Sequence, residues 1–463
     1  MLAVYVIGVA PSLGQTLLET HAHRQTQTAY TAVLYAENCI DLLRPPLPVL
    51  GPPGSIPQEF PIFQALGSLV MELGVPADLA MRLVGLATFL ISAWLVYLLA
   101  GRLMKPMPSL IALGAYLFNP HAWVYGRTSL IEYLAVAGGI GFIYFALRWM
   151  DEGRPLDWVA SGAMGLVGIL AKITTGGFLL LPVLVWRSRS GRWGFQHPSV
   201  WALLLLAVVV GGAWSGYAEG VREETPAAAF LSMRNQLEWF FGTAYERFDL
   251  GSWRVPLVAL LALTGSGVLL WAPLAVARAR ATSQRPFLIA LLGLVAVIPL
   301  ILFNLYAIHD YYWAAVAPMV AIGIGLGAEW LGIKFRRRWV KRATVALAGA
   351  WVATIIGMFP TWSIIYGTPV EEPGAMAVAD FIREHSEGDD WVVLRGWGWN
   401  PAFLYYARRQ GLAVPGSDPA LEEGEFGNQD ISEIDVDRIL EDPIFGPFIE
   451  CDHQANCFVE DRP

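Results

Sequence analysis

Apolar residues in this chain come in long, nearly uninterrupted blocks, not in the two-residue rhythm of a half-buried strand. Blocks long enough, or nearly so, to cross about 30 Å of hydrocarbon fall at residues 2–18, 78–101, 107–124, 129–149, 156–173, 176–187, 199–217, 255–277, 286–305, 311–331 and 343–365. They predict an α-helical polytopic membrane protein with about eleven transmembrane helices. The sixth block ("GGFLLLPVLVW") is the shortest. The first has no basic segment ahead of it and no evident cleavage site, so it reads as a membrane helix and not a leader. Neither an internal repeat nor a low-complexity segment interrupts the series.

Beyond residue 365 the pattern changes. "GAMAVADFIREH" has the spacing of an amphipathic helix, "DDWVVLRG" of a strand, "NPAFLYYARRQG" of a second helix and "LAVPG" of a second short strand. The chain therefore divides into a membrane domain, 1–365, and a small α/β-like C-terminal domain, 366–463, whose acidic second half gives no pattern.

Composition agrees with this division. Of 463 residues, 55% are hydrophobic and 15% charged, against roughly 25% charged in soluble domains. The net charge of −8 hides an asymmetry: residues 366–463 carry 21 acidic and six basic side chains, leaving the membrane part positive. Basic residues collect after the even-numbered blocks, at Arg102 and Lys105, Arg148 and Arg154, Arg187, Arg189 and Arg192, Arg278, Arg280 and Arg285, and in "KFRRRWVKR". Positive loops stay inside, so the amino terminus is expected in the cytoplasm. The long loops 19–77 and 218–254 and the acidic domain are then expected outside. All three cysteines fall on that side; Cys451 and Cys457 either close a small disulfide loop or remain thiols.

The outer face holds the candidate chemistry. The first loop begins with the polar cluster "THAHRQTQTA" and carries seven prolines between residues 45 and 61. Two flanking segments, "RQTQTAYTAVLYAENCIDLL" and "PIFQALGSLVMEL", have apolar faces suited to the interface plane. A long ordered loop of this kind is usually functional. "YGRTSLIEY", "LAKIT" and "HDYYW" bring Arg127, Glu132, Lys172, His309, Asp310 and Tyr312 to the same face. Ionisable groups near membrane depth are costly and tend to mark sites. Basic groups suit a phosphate and acidic ones proton transfer, which together fit an anionic, lipid-linked substrate.

These segments, with "RQTQTA" followed some thirty residues later by "EFPIFQ", resemble the GT-C glycosyltransferases, in particular relatives of the protein O-mannosyltransferases and of the lipid A aminoarabinose transferases. The resemblance implies a polytopic GT-C fold with a long first outer loop. It also implies transfer of a sugar from a polyprenyl-phosphate donor to an acceptor outside the membrane, with inversion by single displacement. One departure stands out: where those relatives carry an acidic pair, this chain reads Arg24-Gln25. Glu59 in "QEFP" matches a second acidic position of the subgroup motif.

Glu59 is accordingly expected to be the base, with Asp310 in reserve. Arg24, Lys172 and His309 are expected at the carrier phosphate, and His23, Gln25 and Tyr312 at sugar or acceptor. Each has a structural alternative. Glu59 could cap a helix, Arg24 pair with Glu19 or Asp41, Lys172 snorkel, Asp310 sit in an aromatic belt, and Arg127 bridge to Glu132. Glu19, His21 and His23 invite a metal, but their spacing needs a strand or turn and no further ligand set lies nearby, so no metal is expected. The expected partners are the donor lipid, an acceptor and the bilayer, with no nucleic acid. Competing functions are a flippase for a lipid-linked saccharide, which should show two related halves with broken helices, and a surface-polysaccharide polymerase or ligase.

Overall fold

The computed structural model describes residues 1–232, 237–264, 268–334, 342, 374–396, 398–414, 439–440, 442–452 and 455–460. The expected last span, most of "KFRRRWVKR" and the acidic stretch 415–438 lie outside the described residues. In chain order the helices are α1 (Leu2–Val9), α2 (Ala22–Glu37), α3 (Ile62–Glu72), α4 (Ala77–Leu103), α5 (Pro106–Leu117), α6 (Pro120–Tyr125), α7 (Glu132–Glu152), α8 (Pro155–Ala171), α9 (Ile173–Leu179) and α10 (Pro198–Arg222). They continue as α11 (Leu237–Phe241), α12 (Ala244–Phe248), α13 (Arg254–Thr264), α14 (Val268–Arg280), α15 (Arg285–Ile301), α16 (Phe303–Ile308), α17 (Ala317–Lys334), α18 (Ala375–Glu384) and α19 (Pro401–Ala407).

Among the described residues three helices, α4, α7 and α10, are by themselves long and apolar enough to cross a membrane. Several other apolar blocks are broken into shorter pieces, and proline explains most breaks, since it removes a backbone donor and ends the preceding turn. The third block splits at Asn119–Pro120, where the Asn119 side chain accepts from the Ala122 N–H and starts α6. The sixth becomes α9 and a 3-10 turn around Pro182. The ninth ends at Leu302, one turn past Pro299, and resumes as α16.

The chain forms two compact units. Among the described residues, the first comprises those within 1–13, 85–213 and 238–342, the second those within 14–84, 214–237 and 374–460. The first loop and the described C-terminal residues fall in the same unit.

In the first unit, α7 packs on α8 through glycines: a Cβ on Gly138 would lie 2.3 Å from the Gly168 nitrogen. Small residues let two backbones approach where lipid offers no hydrophobic drive. A second apolar centre gathers Tyr5, Phe89, Tyr116 and Tyr133, all buried.

The second unit holds a four-stranded sheet, β1 (Trp391–Arg395), β2 (Gln410–Val414), β3 (Phe445–Cys451) and β4 (Cys457–Glu460), in the order β2-β1-β3-β4. β1 runs parallel to both β2 and β3, while β3 and β4 are antiparallel and joined by a Cys451–Cys457 disulfide. Cys39 is free and exposed. The outer edge of β2 is covered by the proline-rich loop. The Gly411 N–H donates to the Pro48 carbonyl (2.9 Å), Ala413 to Val49 (2.9 Å) and Gly51 back to Gly411 (3.0 Å). Covering an edge in this way removes a template for unwanted strand pairing.

Helix α2 does not present a polar face to water and an apolar one to lipid, as an interface-plane helix would. Twelve of its sixteen residues are buried, between α3 and α19. Its threonines satisfy themselves on backbone carbonyls, Thr26 on Ala22 (2.8 Å), Thr28 on Arg24 (3.0 Å) and Thr31 on Pro46 (2.8 Å), so a polar helix can be buried with little penalty.

Candidate functional site

In the second unit the segment before α2 turns sharply. His21 sits in the left-handed region at φ 56°, and Gln25 holds the turn by donating Nε2 to the Thr20 carbonyl (2.9 Å). Gln25 is fully buried, so in this conformation it braces the loop and offers no surface to a sugar. His23 is also buried, edge-on to Trp399 with ring centroids 4.5 Å apart. Burial and the neighbouring Arg24 and His21 lower its imidazole to about 3, so it is neutral at physiological pH.

Arg24, in the first turn of α2, reaches Glu59. Its Nη2 donates to both carboxylate oxygens (2.6 Å each), and its Nη1 to Gln58 (2.7 Å) and Gln27 (2.5 Å). The two side chains are 16% and 21% exposed. Glu59 therefore meets Arg24 and does not cap α3; Pro61 occupies the cap position, with no side-chain bond.

The strip bearing Glu59 is pinned from behind. Trp214 Nε1 donates to the Gln58 carbonyl (3.0 Å), Arg222 Nη1 to the Pro57 carbonyl (2.9 Å), and Phe60 packs edge-on to Trp214. The ion pair that Arg24 makes is with Glu59. Glu19 belongs to Arg82, whose Nη1 donates to it at 2.5 Å while Nη2 and Nε bond the Thr16 (2.5 Å) and Gln15 (3.2 Å) carbonyls.

Lys172, His309, Asp310 and Tyr312 lie in the first unit. Lys172 occupies the extended break between α8 and α9. It is buried, ion-paired with Glu132, and its Nζ lies 4.1 Å from the Tyr312 ring centroid and 5.1 Å from that of Tyr311. The expected Arg127–Glu132 link is replaced by this pair, because the helix break delivers Lys172 to the first residue of α7. The second Glu132 oxygen and the Tyr306 hydroxyl have no hydrogen-bond partner among the described residues. His309 stacks on Tyr311 at 5.2 Å. Asp310 accepts from the Tyr125 hydroxyl (2.6 Å), and its carbonyl meets His121 Nε2 (3.1 Å).

Arg222 stood out in sequence only as one of the charges in the outer loop after the seventh block; Arg82, Trp214 and Trp399 were not singled out. Arg82 offered one signal, a lone cation in the apolar run "ADLAMRLVG"; the others offered none. Of the residues that invited a metal, Glu19 meets Arg82 and His23 packs on Trp399. Among the described residues no group of three or more His, Cys, Asp or Glu is placed to hold a metal ion.

Comparisons with known proteins bear on the fold. The family model described as dolichyl-phosphate-mannose-protein mannosyltransferase matches residues 57–214. The structure is similar to ArnT from Cupriavidus metallidurans bound to undecaprenyl phosphate, with a TM-score of 0.66, 16% identity, and 97% of this chain and 92% of that one covered. It is also similar to the Archaeoglobus fulgidus oligosaccharyltransferase complexed with Zn and sulfate (TM-score 0.55, 14% identity, 97% and 68% covered). The mycobacterial arabinofuranosyltransferase AftD is a third neighbour (TM-score 0.54, 13% identity, 97% and 35% covered). No curated protein matches by sequence. The matched family and all three neighbours belong to the GT-C superfamily of membrane glycosyltransferases, and this chain has the GT-C fold.

Proposed function

We propose that the chain transfers a sugar from a polyprenyl-phosphate donor to an acceptor on the extracytoplasmic side of a cell membrane, with inversion by a single displacement. The observation that supports this most directly is the half-open pair of Arg24 and Glu59, in a fold shared with a protein solved with undecaprenyl phosphate. A phosphate monoanion or diester competes with a carboxylate for the same guanidinium face. At a partly exposed rim that exchange needs no charge to be left buried and alone.

The sequence of events follows from that competition. The donor phosphate takes Arg24, and Glu59 is released. The freed carboxylate accepts the proton of the acceptor nucleophile. The bond from that nucleophile to the anomeric carbon forms as the bond from carbon to phosphate oxygen breaks. Arg24 stays with the departing polyprenyl phosphate and offsets its charge, an effect of about 3–4 kcal/mol for a well-placed donor. Asp310, already accepting from Tyr125, is the reserve base. Lys172 is committed to Glu132, and His309 and Tyr312 to their aromatic stack, so the phosphate is assigned to Arg24.

The test uses purified full-length protein and synthetic polyprenyl-phosphate monosaccharides, with sugar release as the readout. Glu59→Gln is expected to lower turnover by about 10²–10⁴-fold while donor affinity stays within a few-fold, and Arg24→Gln to raise the donor KM. Turnover that survives Glu59→Gln moves the base to Asp310. A wild type that neither binds nor turns over any lipid-linked donor ends the transferase reading, and transport of such a lipid across vesicles becomes the leading one.

A further inference from the structure

A cavity of about 710 Å³ opens in the first unit, lined by Gly101, Arg102, Asp151, a hairpin at residues 186–191, and Ser283 and Gln284. These residues sit at the ends of α4, α7 and α15, on the face where the sequence collects its basic loops. The cavity is distinct from the Arg24–Glu59 rim and from the Lys172 cluster, and nothing in the proposed transfer uses it.

Its floor is built, not incidental. Arg187 and Trp193 pair as an isolated antiparallel bridge. The hairpin is closed by the Ser188 N–H on the Arg192 carbonyl (2.8 Å) and turned at Gly191, φ 84°. Gln284 clamps it, accepting from the Arg187 N–H (3.1 Å) and donating to the Arg187 carbonyl (2.7 Å). Asp151 ties it to α7. One of its oxygens accepts from Trp186 Nε1 (3.3 Å) and the Arg189 N–H (3.1 Å), the other from Arg102 Nη2 (2.8 Å).

The charges are then unequal in their commitments. Arg102 is engaged by Asp151 and Glu152, while its Nε is buried with no hydrogen-bond partner among the described residues. Arg187 and Arg189 are exposed, and neither has a carboxylate partner among the described residues; Arg187 lies 5.7 Å from the Trp193 ring instead. Arg187 Nε also donates to the Gly191 carbonyl (3.4 Å), which leaves its Nη groups turned outward with the Arg189 guanidinium. Two exposed guanidiniums beside serine and glutamine side chains form a site for a phosphate. Trp193 beside them, and Leu181 and Phe195 exposed on either side of the hairpin, are what a protein places at head-group level.

We infer that this cavity binds a phosphate-bearing anion, supplied by an anionic phospholipid head group of the leaflet it faces or by free phosphate. Each arginine near an anionic surface adds about 1 kcal/mol, so removing two weakens binding by about tenfold or more. The experiment compares full-length wild type with Arg187→Gln/Arg189→Gln, both positions being exposed and free of structural ion pairs. Retention of phosphatidylglycerol and of phosphatidylcholine is counted by native mass spectrometry, and inorganic phosphate is titrated as competitor. Phosphatidylglycerol held by wild type and lost about tenfold in the variant, without competition from phosphate, supports the site with a lipid occupant. Inorganic phosphate bound by wild type and lost in the variant, with no preference between lipids, supports it with a free one. Equal binding of all three probes by wild type and variant overturns it.

Discussion

Arg82–Glu19 and Arg24–Glu59 are the same kind of ion pair, in the same unit, fastened to the same stretch of chain. They differ in their surroundings. Arg82 and Glu19 are 0% and 3% exposed, and the guanidinium is saturated by a carboxylate and two backbone carbonyls. Arg24 and Glu59 are 16% and 21% exposed. A fully buried charge cannot change partners without being stranded, whereas a rim charge can. The first pair therefore serves to hold the chain where residues 15–19 meet α4. The second is free to be exchanged, which is why the proposed chemistry rests on it.

The largest effect that contrast implies is on stability. Arg82→Met removes the Arg82 guanidinium from the buried Glu19 carboxylate and strips donors from the Gln15 and Thr16 carbonyls. It is expected to cost about 3–5 kcal/mol, read as a fall in the thermal unfolding midpoint of the detergent-solubilised protein. Adding Glu19→Leu should recover part of that loss, because a buried carboxylate that has lost its guanidinium costs more than an apolar side chain in its place. A single variant as stable as wild type would erase the distinction between the two pairs.

What the sequence made legible divides along the same line. Blocks of apolar residues announce membrane helices because hydrocarbon admits nothing else. The period of "GAMAVADFIREH" and "DDWVVLRG" announces α18 and β1 because local amphipathicity is a local property. Glu59 and Arg24 stood out as polar residues in a loop. That they meet across 35 positions could not be read, nor that Arg82 would claim Glu19 across 63, because the partner of a charge is chosen by tertiary packing. The breaks that turn single spans into helix pairs were visible as prolines, yet a proline is tolerated in a membrane helix whenever neighbours supply the lost bond, so the sequence alone did not say which would break. The burial of α2 was hidden by its own composition: threonines and glutamines look solvent-exposed until their backbone partners are known.

A smaller effect concerns His23. Its imidazole is lowered from 6.5 to about 3, so the folded state resists a proton that the unfolded chain takes up. The stabilisation is complete above pH 6.5 and is lost as pH falls from there toward 3. The expected slope is about 1.4 kcal/mol per pH unit in that window. His23→Phe keeps an aromatic ring against Trp399 and removes the proton. Its unfolding free energy, followed between pH 7 and pH 4, should fall less steeply than that of wild type by about this amount per unit. Identical slopes would mean that His23 titrates freely.

Arg24–Glu59 itself should matter less to stability than to turnover. A pair this open is expected to contribute roughly 1 kcal/mol or less, so Arg24→Gln and Glu59→Gln should unfold close to wild type while losing donor affinity and sugar release respectively. A destabilisation as large as that of Arg82→Met would make the pair structural and would take the exchange step with it.

The smallest effect belongs to Arg44 and Glu224, and it completes the contrast. Their geometry is the best of the three, two parallel bonds of 2.8 Å each, and Arg44 holds the Glu224 carboxyl below its usual range. Both side chains are nearly half exposed, at 48% and 44%. If hydrogen-bond geometry set the strength of an ion pair, this one would rank first. Water, however, solvates both ions almost as well when they are apart, and holding two long side chains in one arrangement opposes the gain. Arg44→Gln is therefore expected to leave the unfolding midpoint unchanged within measurement, at low salt as at high. A drop that shrinks as salt is added would show that surface attraction counts here. A drop that salt leaves alone would show that Arg44 is shielded from water, and exposure would no longer explain why the three pairs differ.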